Sequence, residues 1–371
     1  MKKVLFLIHD LGPGGAEKVL VNLVNNMDNQ KYDITVLSIF DVGVNKQFLK
    51  ETIHYKYCFK RMFRGNSHLM KLFSPRQLHR WLIKEQYDVE ISYLEGPCAR
   101  IISGCEEVTT KIMAWIHIEQ HTRKNAAASF RSAKEAENCY NRFDRINCVS
   151  KAVQEDFSKC LDIKVPMGVV YNTNESDRII RLATENVDDV VISKQCINLV
   201  GVGKLLKNKG FDRILCIVSK LIEENYPVHL YLLGEGPEET NLRRYIGSHD
   251  LEKYVDILGY QINPYKYIGK CDLFVCASYQ EGFSTAATEA LIIGIPVCTV
   301  EVSGMQEMLG PNNEFGVIVP NHDIALYEAI KDLVSNQEKL SNYKMKAIER
   351  GKIFNSHSTV RVVEKLIDGD R

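Results

Sequence analysis

Neither sign of charge dominates this chain: Lys+Arg and Asp+Glu both total 47. A balanced chain offers nucleic acid no electrostatic footprint, so no nucleic-acid partner is expected. Paired cysteine motifs are missing too. Eleven cysteines are scattered from Cys58 to Cys298 without a single CxxC, which argues against a zinc ribbon or a thioredoxin-like redox site. Many lie in apolar stretches, as Cys216 does in Ile214–Val218, and read as small core residues in a reducing compartment. Long hydrophobic runs are also absent. Val4–Ile8 is only five residues long before His9-Asp10, too short for a secretory signal. The longest uncharged apolar run, Ala290–Val300, is broken by Gly294 and Pro296. Neither approaches the roughly 20 residues that span a bilayer. The expected location is therefore cytoplasmic, or peripheral on the inner face of the cell membrane. No internal repeat, GxSxG elbow or Cys–His–Asn pattern occurs, so hydrolase chemistry has no support.

What is present is a globular composition, 45% hydrophobic and 25% charged over 371 residues. That length suggests two domains, and that composition excludes disorder, collagen-like repeats and coiled coil. The balanced charge hides an asymmetry. Residues 1–170 hold 25 of the 47 basic and 19 of the 47 acidic side chains, so they carry +6 and the remainder −6.

Strands and helices alternate from the start. Val4–Ile8 is a continuous apolar run of the kind buried on both faces. A turn, Gly12-Pro13-Gly14-Gly15, leads into Ala16–Met27 with Val19, Leu20, Leu23 and Val24 at helical spacing. Strands are expected at Ile34–Phe40, Val89–Tyr93, Lys111–Ile116, Ile146–Val149 and Pro166–Tyr171. A polar stretch, Asn172–Asp189, reads as a linker. The pattern then restarts with strands at Ile197–Val202, Val228–Leu233, Leu273–Ala277 and Pro296–Thr299, and helices at Gly210–Glu224 and Thr285–Ile293. Such alternation predicts an α/β fold: two doubly wound, Rossmann-like domains with parallel sheets, and a ligand cleft between them. The expected boundaries are 1–172 and 173–353, with a carboxyl-terminal helix at about 354–371 packing back on the first domain.

Three segments carry chemistry. Gly12–Gly15 joins strand to helix, where backbone N–H groups welcome an anion. It is not a dinucleotide fingerprint, because Glu17 stands where the third glycine belongs; a plain tight turn is the alternative. Gly201-Val202-Gly203-Lys204 fails as a Walker A loop, with Asn198 at the first glycine position and Leu205 at the Ser/Thr position. It leaves Lys204, Lys207 and Lys209 ahead of a helix, where cations oppose the dipole unless an anion neutralises them. Glu281–Glu289 follows a strand and opens a helix that Ser284 and Thr285 can cap, leaving N–H groups for an anion. Its alternative is an ordinary capped helix.

Two further patterns point away from metal. His117 and His121 stand at i and i+4, but the glutamate of His117-Ile118-Glu119-Gln120-His121 is displaced from the zincin order. Asp368-Gly369-Asp370 matches DxD but lies on no strand and reads as tail.

Together these segments resemble glycosyltransferase family 4, the retaining GT-B enzymes, over nearly the whole chain. The parts are Val4–Ile8 with Gly12–Glu17, Trp115-Ile116-His117, Val169–Asn172, Val202–Lys204 through Lys209-Gly210, Leu233–Pro237, Leu258–Tyr260, Glu281–Glu289 and Gly294–Val297. Ser303–Met308 resembles the bacterial capsule and exopolysaccharide branch. The resemblance implies a hexosyltransferase that moves a hexose or N-acetylhexosamine from a nucleotide diphosphate sugar, expected to be a UDP-sugar, to a saccharide acceptor linked to a polyprenyl diphosphate. It implies that Lys204 and Lys209 hold the donor diphosphate, aided by Ser284 and Thr285. Lys204 replaces the family's usual arginine, so a point charge stands in for a bidentate clamp. Glu289 would bind the ribose, Glu281 with Gly282 and Phe283 the transferred sugar, and Gly14 and Gly15 the donor from the other domain. His117 and Glu281 are the expected catalytic residues. The family's usual proposal is same-face attack, with a carboxylate nucleophile as the rival route. No metal and no other cofactor is expected, since lysines and a helix dipole stabilise the leaving diphosphate.

The basic excess of the first half has a local source. Lys60, Arg61, Arg64, Lys71, Arg76, Arg80 and Lys84 succeed one another with no acid between them, interleaved with Phe63, Phe73 and Trp81. Basic and aromatic residues together suit an anionic membrane surface; a solvated helical face is the alternative. Competing functions are a non-catalytic nucleotide-sugar-binding subunit and a GT-B phosphorylase or epimerase.

Overall fold

The computed structural model describes residues 1–62 and 65–369, with the backbone alone at 66–68. These residues form two compact units: Met1–Thr173 with the helix Ser356–Asp368, and Asn174–Asn355.

Among the described residues the first unit carries a seven-stranded parallel sheet. Its strands are β1 (Lys2–Ile8), β2 (Tyr32–Phe40), β3 (His54–Phe59), β4 (Val89–Ser92), β5 (Lys111–Ile116), β6 (Arg145–Cys148) and β7 (Met167–Val169), in the order β3-β2-β1-β4-β5-β6-β7. Central β1 hydrogen-bonds to β2 and β4, and Val4–Ile8 is fully buried, as a strand covered on both faces must be. The helix Ser356–Asp368 lies against the helix Gly15–Asn26. Asp368 accepts hydrogen bonds from Lys2 Nζ at 3.1 Å, Tyr32 Oη at 3.0 Å and Lys31 Nζ. The residue read as tail is therefore an anchor for the first two strands. Asp370 lies outside the described residues.

The second unit repeats the plan with β8 (Ile197–Val202), β9 (Val228–Leu233), β10 (Val255–Ile257), β11 (Leu273–Cys276), β12 (Val297–Val300) and β13 (Val317–Val319), in the order β10-β9-β8-β11-β12-β13, all parallel. Leu199, Leu230, Leu273 and Val275 form its core with Ile214, Leu215 and Val218 of the helix Phe211–Glu223. Each such side chain contributes about 1.5–3 kcal/mol by leaving water.

Two sequence readings need correction. The polar stretch Asn172–Asp189 is not a bare linker. It contains the helix Ser176–Ala183, which buries Ile179 and Ala183 against the second unit and receives the Asn263 amide on the Leu182 carbonyl at 3.1 Å. Strands β3, β10 and β13 were not expected; each is the outer strand of its sheet.

Strand order reverses at β1/β4 in the first sheet and at β8/β11 in the second. In open α/β sheets, ligands bind beyond the carboxyl ends of the strands at such switch points.

Candidate active site

At the switch point of the second unit, the loops after β8, β9 and β10 are knitted together. Gly203 N–H donates to Leu233 O at 3.0 Å, Leu205 N–H to Glu235 O at 2.9 Å, and Gly234 N–H to Gly259 O at 2.8 Å. Gly234 makes this possible: at φ +139° it lies so near the Gly203 carbonyl that a Cβ would collide with it. The knit holds Lys204 at the end of β8, half-buried, with no hydrogen-bond or ionic partner for Nζ among the described residues.

Lys209 comes to the same place from the next turn. Gly210, at φ +66°, brings the chain onto the Ala277 carbonyl at the end of β11, where a side chain would clash. Buried Arg213 locks that approach, donating to Ala277 O at 2.9 Å, Asn321 Oδ1 at 2.8 Å and Asp323 Oδ1 at 2.6 Å. Lys209 Nζ then donates to Glu281 Oε1 at 2.6 Å, and Ser278 Oγ donates to the same oxygen at 2.7 Å. Lys207 pairs instead with Asp212, in the first turn of the following helix, at 2.5 Å. Two of the three lysines are thus neutralised by the protein's own carboxylates.

The helix Thr285–Ile293 begins beside this pair. Ser284 caps it, accepting from Ala287 N–H at 3.4 Å. The N–H groups of its first turn have no partner within the helix. Phe283 and Gly282 are buried, and the turn at Gly304 packs on them so closely that a Cβ there would press on the Gly282 carbonyl and the Phe283 ring. Glu289, one turn along, is 3% exposed, and its Oε1 accepts from Tyr265 Oη at 3.1 Å. Lysines, a helix N-terminus and two carboxylates therefore converge at the carboxyl ends of β8 and β11, an arrangement that can hold a diphosphate and orient hydroxyls.

In the first unit, Glu95 follows β4 and His117 follows β5. Glu95 Oε2 accepts the His117 backbone N–H at 3.0 Å. Burial raises the Glu95 pKa, which the His117 N–H partly offsets. The His117 ring lies 5.0 Å from that of Tyr93, and its Nε2 is buried without a hydrogen-bond partner. Burial lowers its pKa to about 4, so the imidazole is neutral at pH 7. His121 is half-exposed, 3.7 Å from Asp156 and 3.9 Å from Glu119.

The turn Gly12–Gly15 is held by Asp10, whose Oδ1 accepts from Gly12 N–H at 2.8 Å. The Glu17 carboxylate folds over Gly14, filling the space a Cβ would take. A protein carboxylate therefore already lies at this helix N-terminus, and an incoming anion must displace it.

Of the basic, aromatic segment, Lys60, Arg61 and Trp81 are exposed, and Lys71 and Phe73 half-exposed. Arg64 and Phe63 lie outside the described residues. Leu72 is 70% exposed, and Phe73 meets Trp81 edge-on at 4.8 Å. Arg76 is paired with Glu106 at 3.1 Å, so one of the seven cations is countered by an acid from outside the segment.

Glu95, Tyr265 and Arg213 escaped the sequence reading. No motif marks them, since each acts through a partner brought near only by the fold.

Two doubly wound units, each with a strand-order switch point, define an α/β protein with parallel sheets. Two family models match it in succession, "Glycosyltransferase Family 4" over residues 13–178 and "Glycosyl transferases group 1" over residues 184–350. The chain belongs to this family of glycosyltransferases and is an enzyme of the hexosyltransferase class. It is 27% identical, over the whole of both chains, to the N-acetylgalactosamine-N,N'-diacetylbacillosaminyl-diphospho-undecaprenol 4-alpha-N-acetylgalactosaminyltransferase of Campylobacter jejuni. It is also 27% identical to the phosphatidylinositol N-acetylglucosaminyltransferase GPI3 subunit of Saccharomyces cerevisiae, over 61% of this chain and 48% of that one. Its fold matches Anabaena Alr3699/HepE in complex with UDP and glucose, at TM-score 0.78 and 18% identity over 99% of this chain and all of the other. It matches a Staphylococcus aureus TarM variant in complex with fondaparinux, alpha-GlcNAc-glycerol and UDP at TM-score 0.77 and 14% identity, with the same coverage. These likenesses make the fold GT-B.

Proposed function

We propose that this chain transfers a hexose or N-acetylhexosamine from a UDP-sugar, with retention, to a saccharide carried on a polyprenyl diphosphate, in the synthesis of a bacterial surface polysaccharide. The observation that carries the donor half is the convergence of Lys204, Lys209, the Thr285–Ile293 N-terminus and Glu289 at one switch point. The UDP bound in the Anabaena and S. aureus structures and the diphospho-undecaprenol in the name of the C. jejuni relative support the nucleotide and the acceptor.

Breaking the anomeric bond leaves a UDP diphosphate whose new charge must be met as it forms. Lys204 and Lys209 supply point charges, and the N–H groups of Thr285 and its neighbours add a helix dipole, so no metal is needed. Glu289 takes the ribose hydroxyls in exchange for, or beside, the Tyr265 hydroxyl. Glu281, with Gly282 and Phe283, positions the transferred sugar. Its Oε1 also accepts from Ser278 Oγ, a contact that donor binding to Lys209 leaves in place, and the route proposed is same-face attack, the leaving phosphate taking the acceptor proton. His117, neutral and with Nε2 free to bond, is assigned to the acceptor or the anomeric centre. Gly14 and Gly15 take the donor once Glu17 has moved aside. Lys60, Arg61, Arg64, Lys71, Phe73 and Trp81 are assigned to an anionic membrane surface, which would bring a lipid-linked acceptor within reach.

A screen of UDP-sugars without acceptor tests this reading: slow release of UDP from one or a few of them is expected, and release from none would contradict it. Turnover that requires inorganic phosphate would favour a phosphorylase.

A further inference from the structure

Away from these residues, three side chains of different kinds meet inside the first unit. His79 comes from the helix Pro75–Leu82, Glu90 from β4 and Cys105 from the turn after the helix Pro97–Ile102. One ligand atom from each lies within 4.8 Å of the other two, and among the described residues no other trio of potential metal ligands does so. We propose that His79, Glu90 and Cys105 bind one zinc ion, leaving the fourth position to water.

The fold goes to some length to bring them together. Gly104 stands so close to the Pro75 carbonyl that any side chain would collide with it, and this contact lays Cys105 against the helix bearing His79. Arg142 holds the turn from the other side, donating to Ser103 O at 2.6 Å and Cys105 O at 2.7 Å. Glu90 lies in register with Leu5 and Ile112 and is 2% exposed. A carboxylate so buried is costly unless a cation meets it. Its hydrogen-bond partner among the described residues is His79, Nε2 to Oε2 at 2.7 Å.

The site asks for positive charge. In the structure as it stands, the hydrogen bond from His79 meets that demand. Zinc would replace it: the Cys105 thiol releases its proton to solvent, and the ion takes the imidazole nitrogen, the thiolate and a carboxylate oxygen. Two N or O ligands at about 2.0 Å from a tetrahedral ion stand roughly 3.3 Å apart, so His79 and Glu90 need separate by only about half an ångström. Nitrogen and sulfur donors select zinc over magnesium or calcium. Bound there, the ion would clamp the helix that carries Trp81 to the centre of the sheet, independently of the donor site.

The test is titration of the full chain, freed of metal by chelator and dialysis, with Zn²⁺ by calorimetry and with Co²⁺ as an optical probe. One zinc per chain is expected, with proton release, a raised Tm, and a tetrahedral cobalt spectrum containing a thiolate charge-transfer band. Cys105→Ser should abolish that band, and Cys105→Ser and His79→Gln should each weaken zinc binding by about tenfold or more. Circular dichroism of Cys105→Ser separates lost binding from lost folding. A wild-type chain that binds no stoichiometric zinc overturns the proposal. So does a Cys105→Ser chain that keeps the thiolate band, because the ion would then lie at another of the eleven cysteines.

Discussion

Lys209 and Glu281 stand 72 residues apart in sequence, yet the ammonium of one donates to the carboxylate of the other at 2.6 Å across the ends of β8 and β11. A ligand phosphate that takes Lys209 must loosen this pair, which frees Glu281 for a sugar hydroxyl. With the roles proposed for Lys209 and Glu281, donor arrival and sugar positioning would be joined in one exchange of partners.

If Lys209 grips the diphosphate, Lys209→Ala removes a charge-assisted hydrogen bond. Affinity for UDP should fall by about 1.5–3 kcal/mol, roughly 10–150-fold, with the fold intact. Unchanged affinity by calorimetry would take Lys209 out of the site.

His117 gives a pH signature in stability. Burial lowers its pKa from 6.5 to about 4 in the folded chain. On acidification the unfolded chain therefore gains this proton first. The cost is nil above about pH 7, grows as pH falls through 6.5 towards 4, and reaches at most about 3 kcal/mol. His117→Gln should flatten the dependence of unfolding free energy on pH between about 4.5 and 6.5 in urea titrations. Parallel curves for wild type and variant would contradict a buried neutral imidazole.

Chelator separates the two chemistries. EDTA should lower Tm, through the His79–Glu90–Cys105 site, while leaving sugar transfer unchanged at temperatures where the chain stays folded. Loss of turnover restored by Mg²⁺ or Mn²⁺ would contradict a donor site run on lysines and a helix dipole.

The membrane assignment rests on exposed cations beside exposed Met62, Leu72 and Trp81. Each cation near an anionic surface contributes about 1 kcal/mol, and the attraction fades as the Debye length shrinks from about 10 Å at 0.1 M salt to about 3 Å at 1 M. Binding to anionic vesicles at low salt is expected. It should be lost at 1 M salt and in Arg61→Glu, Arg64→Glu, Lys71→Glu, with acceptor-free hydrolysis spared. No sedimentation of the wild type at low salt would leave the segment a solvated surface.

What the sequence could reveal followed from burial. β1 and β8, at the middle of their sheets, show apolar runs, Val4–Ile8 and, after Asn198, Leu199–Val202, because helices cover both faces. β3 is exposed or half-buried along its whole length, and β10 and β13 are three residues each, so these edge strands carry no such run. The helix Ser176–Ala183 was obscured by its polar surroundings, since only Ile179 and Ala183 of its apolar face are buried. Lys209, Glu281 and Glu289 were legible because loop glycines and a helix cap flank them at fixed spacing. Glu95 and Tyr265 were not: their relations to His117 and Glu289 are contacts across the fold, with no local spacing to read. The zinc ligands His79, Glu90 and Cys105 escaped for the same reason.

The central claim is a sugar transfer from a UDP-sugar with the anomeric configuration kept. Proton NMR of the reaction with the UDP-sugar picked out by the screen and a polyprenyl-diphosphate-linked saccharide would test it most directly. An α-linked product formed from the α-configured donor, with one UDP released per bond, is the predicted result. A β-linked product, or consumption of donor without any new glycosidic bond, would contradict it.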